Sequence, residues 1–134
     1  MKISVIGTGA YSLAIALELA KKKNKIMMWT ENPKIAEEFN QTHKLNSIFD
    51  IEIPKNISVT TDMEKVLEDS ELIYIITASR YVDSVCDKMV PYYHKLVPIC
   101  IASKGIEESS EELLSNIVEQ KLRAKHISVI SGPT

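Results

Sequence analysis

Six apolar runs of strand length, each parted from the next by a longer stretch of helical spacing or loop, constrain this chain more than anything else in it. Lys2–Gly7 (KISVIG) is short, β-branched and stopped by glycine. Ala10–Lys23 follows, with Leu13, Ala16, Leu17 and Ala20 on one helical face. Lys25–Trp29 (KIMMW) reads as a second strand, and Pro33 suits the first turn of a helix over Lys34–Gln41. Thr42–Ser58 has no period and reads as a long irregular loop. Val59–Thr61 is a weak strand, and Asp62 is an N-cap for a helix running to Asp69. Leu72–Thr77 (LIYIIT) is an unbroken apolar strand, after which Val82, Val85 and Met89 mark a helix face. Val97–Ala102 is the next strand, pairing only beyond Pro98, which lacks an N–H. Glu111–Lys121 is helical, and Ile127–Ser131 is the sixth strand. Strands that are apolar throughout, rather than at every second residue, are buried on both faces. The chain is therefore α/β, a doubly wound parallel sheet with helices on both faces and a switch point beside its first strand.

Composition narrows the partners. The 134 residues suit one domain, 1–134, with 45% hydrophobic and 25% charged residues. Sixteen basic against 18 acidic side chains leave a net charge of −2, which gives no footing for nucleic acid or an anionic membrane. No apolar run approaches the roughly 18 residues of a membrane span, and no cleavable leader is evident, so the expected location is cytoplasmic. Cys86 and Cys100 fall in a helix and a buried strand and read as reduced core residues. His43, His94 and His126 have no metal-ligand spacing around them, and no metal is expected. Lys21-Lys22-Lys23 reads as a solvated last helical turn.

Between the first strand and first helix stands Gly7-Thr8-Gly9-Ala10-Tyr11-Ser12, the G-x-G-x-x-G frame with serine at its third glycine. The first glycine permits a tight turn, the second lets a phosphate approach the backbone, and the third lets helix and strand pack closely. Serine is small enough to substitute there in part, with a looser approach expected. The helix N-terminus behind the turn offers N–H groups and a positive dipole end to a pyrophosphate. Strand, turn and helix within about 30 residues are the setting this motif requires, and make the domain Rossmann-type. Glu31 follows the second strand, roughly 20 residues on, where a carboxylate accepts hydrogen bonds from the adenosine ribose and repels a 2′-phosphate. No Arg or Lys occupies positions 30–33, which favours NAD over NADP. An exposed glutamate beside a helix N-terminus is the plainer alternative. Ser103-Lys104-Gly105-Ile106-Glu107 begins at the carboxyl end of a strand, where ligands sit in open α/β sheets. Arg80 follows the fourth strand and reads as solvated.

Several segments in order then resemble one family. They are the glycine frame, Met28-Trp29, Pro54 ahead of Val59-Thr60-Thr61-Asp62, Ser103–Glu107, and Ile130-Ser131-Gly132-Pro133-Thr134. Together they are similar to the N-terminal domain of bacterial NAD(P)-dependent sn-glycerol-3-phosphate dehydrogenase. The resemblance implies hydride transfer between a nicotinamide cofactor and dihydroxyacetone phosphate, giving sn-glycerol 3-phosphate for phospholipid synthesis. It implies that Ala10 and Tyr11 contact the cofactor and that Glu31 lies by the adenosine ribose. It also implies that Phe49 is near the cofactor, that Lys104 touches cofactor and substrate, and that Gly132 and Thr134 help bind substrate. Phe49 is equally readable as an anchor of its loop.

The sequence departs from the family at Ala10 (usually serine), Ser12 (glycine), Glu31 (often basic or histidine) and Ala78 (proline). Thr134 falls inside a motif that the family continues into further sheet and a helical C-terminal domain. The family's general acid/base lysine lies in that part, so no catalytic residue is expected within this chain. Two other readings stay open, a stand-alone NAD(H)-binding module and the first domain of another small-substrate dehydrogenase. A homodimer through an exposed sheet edge is a further expectation.

Overall fold

The computed structural model describes residues 1–43, 53–104 and 108–132, with side chains for 1–43, 53–102 and 113–130. The strands are β1 (Lys2–Ile6), β2 (Lys25–Trp29), β3 (Ile57–Thr60), β4 (Leu72–Ile75), β5 (Ile99–Lys104) and β6 (Ile127–Gly132). Among the described residues the helices are α1 (Ala10–Ala20), α2 (Pro33–Thr42), α3 (Met63–Leu67), α4 (Val82–Met89) and α5 (Glu108–Leu122). A single 3-10 turn, Ser79–Tyr81, precedes α4.

Every strand pairing is parallel, in the order β3-β2-β1-β4-β5-β6. Successive side chains of a strand face opposite sides, so the apolar strands feed two cores. On one side Ile3, Val5, Ile26 and Met28 pack with Leu13 and Ala16 of α1 and Phe39 of α2. On the other, Ile6, Ile73, Ile75, Ile99 and Ile101 pack with Val66 of α3, Val85 and Met89 of α4, and Val118 of α5. Ser4, buried on this second side, keeps its hydroxyl satisfied by donating to Val66 O at 2.5 Å. Cys86 and Cys100 are buried free thiols, and burial pushes the Cys86 thiol up to about 12. Among the described residues there is no cluster of His, Cys, Asp and Glu able to hold a metal, and no helix long and apolar enough to cross a membrane.

Element ends shift for local reasons. α1 stops at Ala20, and Lys21–Lys23 form a turn closed by Lys23 in the left-handed region, φ 62°, instead of a last helical turn. β3 begins at Ile57, two residues before the expected start, because Asn56 is already built into the sheet edge. Its carbonyl accepts from Ile26 N–H, and its side-chain amide donates to Ala20 O at 3.0 Å and Asn24 O at 2.8 Å. Asp62 caps α3 as expected, accepting from Lys65 N–H at 3.3 Å. That helix ends at Leu67 rather than Asp69, which takes φ 56°. Pro98 stays outside β5 but its carbonyl accepts from Ile73 N–H. Phe49 and Thr134 lie outside the described residues.

Candidate functional site

β1 lies at the centre of the sheet, and the chain departs to β2 on one side and later to β4 on the other. The carboxyl ends of these strands therefore splay around the turn that follows β1. Gly7 N–H donates to Trp29 O at 2.9 Å, and Gly7 takes φ +135°, a conformation that side chains rarely adopt. A Cβ there would stand 2.1 Å from Ile76 O, so the turn is pressed against the end of β4. Gly9 differs. Its backbone is extended, φ −72° and ψ −179°, and a Cβ built on it meets no atom within 4 Å. Its lack of a side chain serves the open space above the turn, not the fold.

That space is floored by the start of α1. Leu13 N–H makes the first intrahelical bond, to Gly9 O at 3.0 Å, and no side chain caps the helix. The preceding N–H groups of Ala10, Tyr11 and Ser12 belong to the unpaired first turn. A helix end with unpaired donors and an open approach over Gly9 suits the charge and width of a pyrophosphate. Ser12 holds this end in place. It is buried, and its hydroxyl donates to Ile76 O at 3.2 Å. The hydroxyl ties α1 to the residue that follows β4. Its contribution to the cleft is its backbone N–H.

The turn opens into a cleft of about 420 Å³ bounded by Gly9, Tyr11, Thr77, Tyr81 and Ala102. A second cleft of about 170 Å³ shares Gly7, Thr8, Thr77 and Tyr81 with it and extends to Thr30 and Glu31. A third, of about 470 Å³, shares Trp29 and Glu31 with the second and ends at Lys88 and Tyr92. A groove thus runs from the glycine turn past the end of β2 to the far end of α4.

Glu31 stands outside α2, whose N-cap is Asn32, and is three-quarters exposed. Its Oε1 lies 2.7 Å from Lys88 Nζ. Positions 30–33 hold no Arg or Lys, but the fold brings a lysine to Glu31 from 57 positions away. Trp29, Thr77, Tyr81, Ser84 and Lys88 also line the groove and were not singled out as ligand-facing by sequence. The signal was there around α4: Tyr81, Ser84 and Lys88 follow i, i+3, i+7 beside the buried face of Val82, Val85 and Met89. Arg80 is exposed, its guanidinium 4.8 Å from the ring centre of Tyr81. Lys104 and Gly132 are register partners at the carboxyl ends of β5 and β6, two residues beyond the cleft-lining Ala102.

A parallel sheet with a glycine turn and an uncapped helix N-terminus at its switch point defines a dinucleotide-binding domain of the Rossmann type. Residues 2–134 match the family described as NAD-dependent glycerol-3-phosphate dehydrogenase N-terminus, and the chain belongs to that family. It is 31% identical to the glycerol-3-phosphate dehydrogenase (NAD(P)+) of Thermoanaerobacter sp. (strain X514), over 100% of this chain and 40% of that protein. It is 32% identical to the enzyme of the same name from Leptospira biflexa, over 100% and 41% respectively. The crystal structure of glycerol-3-phosphate dehydrogenase from Coxiella burnetii superposes with a TM-score of 0.84 at 27% identity, covering 98% of this chain and 41% of that one. The chain spans about 40% of the length of the curated relatives it matches.

Proposed function

We propose that residues 1–134 are the cofactor-binding domain of a cytoplasmic glycerol-3-phosphate dehydrogenase. That enzyme interconverts dihydroxyacetone phosphate and sn-glycerol 3-phosphate with NAD(P)(H) and serves phospholipid synthesis. The observation that carries this reading is Gly9, whose missing side chain opens onto free space at the head of an uncapped helix, in a chain matched to the family from end to end. When bound, the nicotinamide supplies the hydride acceptor or donor.

The chain's own residues bind and orient. Gly7 and Gly9 shape the turn, and Ala10, Tyr11 and Ser12 offer backbone N–H groups to the pyrophosphate. Glu31 accepts from the adenosine ribose, and Phe49 flanks the cofactor. Lys104 contacts cofactor and substrate, and Gly132 and Thr134 help bind the substrate. The pairing of Lys104 with Gly132 at the carboxyl ends of adjacent strands supports the last assignment. β6 is a sheet edge, and a homodimer through it would show as a doubled mass in gel filtration, with a clean monomer at high concentration counting against it.

Titration with NADH tests the site. Nicotinamide fluorescence changes on adding the chain, and Gly9→Val, which fills the open space, abolishes the change. Absence of any signal at millimolar NADH refutes a working site in this chain.

A further inference from the structure

We propose that Lys88 lets the groove accept NADP(H) as well as NAD(H), by taking the 2′-phosphate that distinguishes the two; the proposal rests on the dinucleotide reading above. A lone carboxylate after the second strand repels a 2′-phosphate. Here the carboxylate is not alone. Lys88 Nζ lies 2.7 Å from Glu31 Oε1, so whatever reaches Glu31 through a ribose hydroxyl also comes within reach of the ammonium.

The ammonium is held in place by more than its ion pair. It lies 5.5 Å from the ring centre of Trp29, a distance at which the indole face attracts a cation. That indole is itself fixed, since Trp29 is buried in β2 and its Nε1–H donates to Thr61 O at 2.9 Å. Lys88 is still open to solvent, with 44% of its side chain exposed. An ammonium has three donors. Among the described residues Glu31 is its hydrogen-bond partner, which leaves donors for a phosphate. Lys88 is also the one cation lining this end of the groove among the described residues. Asp62 lines it too and opposes an anion, but its carboxylate is engaged at the head of α3.

Two roles follow from one geometry. Paired with Lys88, Glu31 keeps a second oxygen for the ribose of NAD(H) while its charge is offset. When the ribose carries a phosphate, Lys88 binds it directly through charge-assisted hydrogen bonds. Both dinucleotides are accepted, through different members of the pair.

Parallel titrations with NADH and NADPH, read by nicotinamide fluorescence, test this in the unsubstituted chain, Lys88→Met, Lys88→Arg, and Glu31→Ala with and without Lys88→Met. Lys88→Met lowers NADPH affinity relative to NADH roughly tenfold, or about 1.4 kcal/mol, and Lys88→Arg restores most of it. In the Glu31→Ala background, where no carboxylate remains to be offset, Lys88→Met still lowers NADPH affinity, because the contact is direct. An NADPH-to-NADH ratio indifferent to position 88, or a loss that vanishes without Glu31, overturns the proposal while NADH binding upholds the dinucleotide site. Binding of neither dinucleotide by the unsubstituted chain overturns both.

Discussion

Replacing each glycine of the turn by alanine separates the fold from the ligand. At Gly7 the alanine Cβ would sit 2.1 Å from Ile76 O, against an ordinary contact of 3.4 Å or more, and the backbone would be held at φ +135°. A side chain forced into a glycine-only conformation costs of order 1–3 kcal/mol. Driving an extra carbon against a packed neighbour costs a further 1–3 or so. The obstacle is a backbone carbonyl that already accepts from Ser12, so relief requires moving the end of β4. Gly7→Ala should therefore cost about 4 kcal/mol, a large share of the roughly 5–15 kcal/mol that holds a domain folded. At Gly9 the added carbon meets nothing and the backbone is extended. Alanine is a somewhat poorer N-cap than glycine, and the stiffer unfolded chain offsets this, so the net change stays within about 1 kcal/mol. In urea melts followed by circular dichroism, with a slope of about 2 kcal/mol/M, Gly7→Ala lowers the midpoint by about 2 M. Gly9→Ala moves it by less than about 0.5 M on the same slope. NADH titration reverses the emphasis, with Gly9→Ala weakening binding although its fold is intact. Equal midpoint shifts for the two variants would refute the division of labour drawn from the turn geometry.

Ser12→Ala removes the hydroxyl that donates to Ile76 O inside the packed turn and should cost about 1–2 kcal/mol in the same urea assay. Asn56→Ala deletes two hydrogen bonds that tie the approach to β3 to Ala20 and Asn24. It should cost about 2 kcal/mol and raise amide exchange around the α1–β2 turn before exchange elsewhere. Alkali should destabilise the fold through two groups whose protonated form the native state prefers. Burial, then the charge of Asp83, pushes the Cys86 thiol from 9.0 to about 12, and burial pushes the Tyr93 phenol from 10.0 to about 12. A raised native value means that their contribution is whole below pH 9.0 and 10.0 and is lost as pH climbs towards 12. Urea midpoints should fall over that window, and Cys86→Ala should flatten the early part of the fall.

The sheet was legible because unbroken apolar runs have only one common use, a strand covered on both faces. The glycine turn was legible because strand, G-x-G and helix are contiguous in the chain. Boundaries were less so. Asn56 looks like loop punctuation, yet its side-chain amide bridges α1 and the following turn, a role that depends on residues more than thirty positions away. Ser12 looks like an imperfect glycine until Ile76 O stands beside it.

The same division runs through the cofactor site. Sequence alone determined that a dinucleotide turn exists and that Glu31 follows the second strand, because both lie within a single βαβ unit. The charge that Glu31 presents to a ligand was decided only by tertiary structure. Read locally, positions 30–33 offer an anion no partner and favour NAD. Folded, α4 crosses to the end of β2 and sets the Lys88 ammonium 2.7 Å from the carboxylate. Electrostatic environment depends on distance through space, and no local window on the chain contains that distance.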